Sequence, residues 1–248
     1  MALNPYTEWE EYQNIEEDFL RYLRNVPLAA AHFEVWSFPL SNFLINIGSL
    51  IDSFFKNIAF EESMRSALGI ETITGEKGKS NIVRYQAVFE PFYSLSKSTI
   101  MELKNYSALF PFANWNMEDN RKPTAPSWWD AYTSLKHDRF QNNEQATLKN
   151  TLDALGGLFL LNVKSIETRR ALLANRVIIT SKFPFDSATR MLEKNEPFNC
   201  FPGMYYAKTN LFGYVYETEG FALNEEHRKL ILSPKYRGFF NPSQDSQR

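Results

Sequence analysis

Leu148-Lys-Asn-Thr-Leu-Asp-Ala-Leu-Gly-Gly-Leu-Phe-Leu-Leu-Asn-Val163 is the stretch on which the fold turns. Leu148, Leu152, Leu155, Phe159, Val163 and then Ile166 recur at helical spacing, and Ala154, Leu158 and Leu161 form a second stripe. The pattern predicts a long helix over 144–166. A helix apolar on two faces belongs in the middle of a bundle, and Gly156-Gly157 lets a neighbour approach closely.

Immediately before it runs Ser127-Trp-Trp-Asp-Ala-Tyr-Thr-Ser-Leu-Lys-His-Asp-Arg-Phe140. This reads as a helix over 128–140 with Ser127 available as its cap. Trp128, Tyr132, Leu135 and Arg139 share one stripe. Toward the N-terminus, residues 6–24 predict an amphipathic helix. Trp9, Tyr12, Ile15, Phe19, Tyr22 and Leu23 are its apolar positions, with Glu8, Glu10, Glu11, Glu16, Glu17 and Asp18 between them. A second helix is expected over 39–58, where Asp52 and Lys56 sit four apart and can pair. A short helix follows at 61–68, and another at 81–95. Residues 96–125 read as an irregular connector pinned to the core by Phe110 and Trp115. Residues 169–175 close the helical region as a last turn or short helix.

After Asn175 the texture changes. Val177-Ile-Ile-Thr180 is β-branched, and residues 203–218 alternate in the manner of a hairpin turning near Thr209-Asn210. Residues 241–248 form a polar tail. The expected architecture is therefore mainly α: a helical bundle of four to six helices over 1–175. A small irregular or β C-terminal extension, 176–248, packs on it with a possible hairpin.

The chain has 248 residues, 44% hydrophobic and 23% charged, the balance of an ordinary globular protein. Aromatics are high at 15%, with 21 Phe and 12 Tyr, which predicts a thick core, a partner surface, or both. A net charge of −2 argues against a nucleic-acid coat protein but leaves room for a local basic site. The single cysteine, Cys200, excludes an internal disulfide and a cysteine-based metal cluster. The N-terminus has no signal-peptide pattern and no apolar run spans a bilayer, so a cytoplasmic protein without membrane contact is expected.

Gly78-Lys79-Ser80 invites comparison with a phosphate-binding loop, but position 73 is Ile where the pattern needs Gly, and no apolar strand precedes it. His32 and His227 have no second His or Cys at ligand spacing, so no metal site and no cofactor is expected. That leaves Lys136, His137 and Arg139 as the main candidates for chemistry. One reading is that these cations complement a helix C-terminus. The other is an anion site, with His137 titratable and Arg139 offering a planar fork to a phosphate. Trp128, Trp129 and Tyr132, with Asp52, are candidate binding residues, although aromatic stripes at helical spacing are commonly packing.

Three strings together resemble a set of uncharacterised bacterial HEPN-like helical proteins. They are Trp128-Trp129-x-Ala131-Tyr132-x-x-x-Lys136-His137-x-Arg139, Ala146-Thr147-Leu148-x-Asn150 and Ala154-Leu155-Gly156-Gly157-Leu158-Phe159. The segments Trp36 to Lys56 and Val177 to Phe183 are similar to parts of the same group. The resemblance implies an all-α bundle, often dimeric, in a setting of RNA cleavage, toxin–antitoxin pairs, antiphage defence or scaffolding.

Active members of that family place an Arg, a short spacer and a His so that two protomers build one metal-independent ribonuclease site. Here the nearest such pair, Arg24 and His32, is split by Pro27, and after Arg139 positions 144–146 are Glu, Gln and Ala. The expectation is a HEPN-like binding or scaffold module without the standard ribonuclease site. It would act as a homo-oligomer or with a protein partner, and RNA is a possible ligand. An exposed aromatic patch would support this reading. The alternative is a metal-independent ribonuclease of a defence or toxin–antitoxin system, with His137 as general acid/base beside Lys136 and Arg139.

Overall fold

A computed structural model describes residues 5–60, 82–113, 115, 124–180 and 205–216. The short helix expected at 61–68, the Gly-Lys-Ser loop, Cys200, His227 and the polar tail lie outside them.

Helix α1 spans Pro5–Tyr22 and α2 spans Phe38–Phe60. Helix α3 spans Ile82–Tyr93, α4 Ser127–His137, α5 Leu148–Lys164 and α6 Ile166–Ala174. Helix α5 begins later than its sequence pattern because Thr147 caps it: the Thr147 Oγ1 accepts the Asn150 N–H at 3.1 Å. Helix α4 has no side-chain cap; Pro126 holds the cap position and Ser127 is already helical.

The strands are β1 at Ile100–Glu102, β2 at Ser107–Leu109, β3 at Ile178–Thr180, β4 at Tyr205–Lys208 and β5 at Phe212–Tyr216. They form a five-stranded sheet in the order β2-β1-β5-β4-β3, with antiparallel neighbours throughout. The hairpin read at 203–218 is β4 and β5. It does not hang on the outside, because β5 pairs with β1 and β4 pairs with β3.

The fold is therefore mixed α and β, which corrects the expected helical bundle with a small β extension. The missing piece was β1–β2, which occupies the stretch read as an irregular connector. Each of those strands is only three residues long, too short to show alternation. Its turn is organised by Glu102, fully buried, whose carboxylate accepts from the Lys104 and Asn105 N–H groups and the Ser107 hydroxyl. Tyr106 takes the left-handed conformation, φ 54°, that closes it.

Helix α5 is the centre of the molecule. It packs on α1, α2, α4, α6 and β5, and every residue from Thr151 to Val163 is buried. The sheet meets it at Gly156 and at Phe159, whose ring lies 5.6 Å from that of Phe212. A methyl group on Gly156 would lie 2.7 Å from Ile100 Cδ1, with Phe212 close behind, so glycine there lets sheet and helix close together. Strand alternation sorts the sheet residues: Ile100, Ile178, Ala207, Phe212 and Tyr214 join the main core. Met101 and Val215 form a separate cluster with Leu103, Tyr106 and Tyr206.

Candidate functional site

Helix α4 is held on α2 and α5 by its aromatic side. Trp128 is buried and donates its Nε1–H to the Pro111 carbonyl at 2.7 Å. Trp129 and Tyr132 are also buried, with ring centroids 5.2 Å apart. The Tyr132 ring lies flat against the backbone of α2 at Gly48. Trp128, Trp129 and Tyr132 are thus packed faces, with their surfaces taken up by neighbouring elements.

The basic residues that follow separate. Lys136 donates to the Tyr132 hydroxyl at 3.3 Å and stands 3.9 Å from Asp52 Oδ2, which also takes the Lys56 ammonium at 2.6 Å. The expected Asp52–Lys56 pair forms, and Asp52 is the point to which Lys136 turns. Arg139 turns to the other end of α2: its Nη2 donates to Asn42 Oδ1 at 2.6 Å and reaches the Phe38 carbonyl at 3.4 Å. His137 is exposed and has no hydrogen bond or ion pair with the described residues. Below it, Asn142 Nδ2 donates to the Ser134 and Asp138 carbonyls and closes the end of α4.

What Arg139 does bring together is a set of side chains that the motif did not include. Phe38 is 59% exposed and Phe140 86% exposed, and Arg139 joins them by chain adjacency and by its bond to the Phe38 carbonyl. Val35 and Trp36, 38% and 49% exposed, continue the surface. Their segment is stitched to the start of α5 by the Trp36–Thr147 antiparallel bridge and by the Leu148 N–H donating to the Val35 carbonyl at 2.8 Å. Ser41 donates to Asn143 Oδ1 at 3.0 Å and locks the same seam from the inside. Aromatic side chains of about 200 Å² each, exposed to these fractions, present on the order of 400 Å² of apolar surface. That is the size at which the largest patch on a monomer is often a functional one.

The rim of the patch is mixed in charge. Glu34, Asp138 and Glu144 are exposed around it alongside His137. Arg139 contacts only neutral acceptors, and no carboxylate among the described residues pairs with it. The sequence pattern makes Phe140 the end of a helix over 128–140 and leaves Phe38 just outside the one over 39–58. The signal that could have found them is Phe140's position, one residue past the stripe 128, 132, 135, 139 and therefore off the buried face.

Besides Glu102, two more buried carboxylates lie elsewhere among the described residues. Glu16 sits on the apolar face of α1, where its Oε1 accepts from the Tyr12 hydroxyl at 2.8 Å, from the Thr209 hydroxyl, and from the Leu211 N–H at 3.2 Å. Burial pushes its carboxyl above the ordinary range, against the Thr209 and Tyr12 hydroxyls and the backbone N–H groups, which favour the charged form. This is the pin that fixes the β4–β5 turn to α1. Asp153 is raised by burial too, opposed by its ion pair with Lys149. Among the described residues no group of three or more His, Cys, Asp or Glu side chains could hold a metal ion. Nor is any helix among them long and apolar enough to cross a membrane.

No protein-family model, curated protein or solved structure matches this chain, so the functional reading is carried by its geometry.

Proposed function

We propose that this protein is a binding module that engages another protein through the surface of Val35, Trp36, Phe38 and Phe140. The observation that carries this is a set of four exposed apolar side chains on two segments that Arg139 links, with no acidic partner for that Arg among the described residues. Trp, Phe and Arg are the residue types enriched at the centres of protein interfaces. The packing does not require these side chains to be apolar, since each is more than a third exposed. A nucleic acid fits less well. Phosphate tracking needs several free cations, whereas Lys136 already faces Asp52 and the rim carries Glu34, Asp138 and Glu144. The ribonuclease reading needs Lys136 and Arg139 to converge on His137, and they turn to opposite ends of α2.

The test is site-specific photo-cross-linking in cells that make the protein, with the photoreactive residue at position 36. The same residue at position 13, on the exposed face of α1, is the control. A discrete protein adduct, or a cross-linked homodimer, from position 36 and not from 13 is the expected result. Equal labelling from both positions, or adducts to RNA, would overturn the proposal.

A further inference from the structure

The chemistry of the partner can be read further, on the basis of the interaction surface just described. In the Trp36–Thr147 bridge the Leu148 N–H bonds the Val35 carbonyl, the residue before Trp36. Trp36 is therefore the non-hydrogen-bonded member of the antiparallel pair, and its own N–H and C=O point away from Thr147. Neither bonds to any described residue. The Val35–Ser37 segment thus presents a short outer edge able to accept one more strand.

Two residues further along the chain, at the first residue of α2, the Phe38 carbonyl meets Arg139. Among the described residues the Arg139 guanidinium meets only neutral acceptors, and the exposed Phe38 and Phe140 belong to the same two segments. A planar fork in that state is complementary to a carboxylate.

We infer that the surface binds an extended apolar peptide segment that pairs its backbone with Trp36 and sets one Asp or Glu side chain against Arg139. Its apolar side chains lie on Phe38 and Phe140. A helical partner would leave the Trp36 N–H and C=O unused, and a partner without a carboxylate would leave Arg139 uncompensated.

The experiment pans a phage-displayed random dodecapeptide library against the full chain, with the Phe38→Ser/Phe140→Ser double variant used for counter-selection. Selected peptides are then measured by fluorescence anisotropy against wild type and Arg139→Gln, each as made and with single N-methylated backbone positions. The expected peptides combine apolar residues with an acidic one. They lose about tenfold or more in affinity for Arg139→Gln, and lose binding when the residue opposite Trp36 is N-methylated. Peptides that bind wild type and Arg139→Gln equally and tolerate N-methylation would overturn this inference while leaving the protein-binding surface standing. Failure to enrich any peptide would overturn it as well. Binding of oligouridine that depends on Arg139 would overturn both readings.

Discussion

A methyl group at Gly48 would sit 2.3 Å from two ring carbons of Tyr132. Alanine is a better helix former than glycine by about 1 kcal/mol, but here the clash decides the sign. The ring is fixed by its own burial and by Trp129, so α4 must move off α2. Gly48→Ala is expected to destabilise by about 1–3 kcal/mol, measured by chemical denaturation. Glu16 makes a second residue-scale test. Its raised carboxyl means that the folded state holds the proton more tightly than the unfolded chain. The stability it contributes is fully present below the ordinary value near 4.5 and is lost as pH rises through the raised folded value. Glu16→Gln keeps an acceptor at the Oε1 position for Tyr12, Thr209 and Leu211. Its melting temperature should therefore fall less than wild type's between acid and neutral pH. A slope as steep as wild type's would count against Glu16 as the titrating group. The sequence held this residue in plain view: positions 9, 12, 16 and 19 are one helical stripe. Glu16 was read as polar by residue type when its spacing put it in the core.

At the scale of elements, periodicity made α5 and its central place legible, because a helix apolar all round has nowhere else to go. The β4–β5 hairpin was legible from alternation and its turn. What the sequence did not disclose was where that hairpin goes. Strand pairing between β5 and β1, more than a hundred residues apart, is set by tertiary fit and leaves no local signature. The same limit hid Gly156's neighbour: the pair of glycines predicted a close approach, and a strand rather than a helix supplied it. The cap of α5 is a direct test of how that helix is started. Thr147→Ala removes the acceptor for the Asn150 N–H and should cost about 1 kcal/mol, read by denaturation. Thr147→Ser, which keeps the oxygen, should restore most of it.

For the whole molecule, the sheet gathers strands from three separated stretches of chain, with the 205–216 hairpin in the middle. A chain ending at residue 175 would leave β1 without β5 and expose the side of α5 that meets Phe212. We expect that fragment to lack a cooperative unfolding transition by circular dichroism; a sharp transition would contradict the sheet order. The candidate site was half legible at this scale. The string from Trp128 to Arg139 borders the proposed surface, but its tryptophans are packed inside and its cations diverge. The surface beside it comes from residues on two segments that only the fold joins. Those residues contribute little to stability, since each is more than a third exposed. The most direct measurement compares wild type with Phe38→Ser/Phe140→Ser, both carrying the photoreactive residue at position 36, for melting temperature and protein adduct together. The account predicts an unchanged melting temperature and loss of the adduct. An adduct of undiminished yield in the double variant would contradict it.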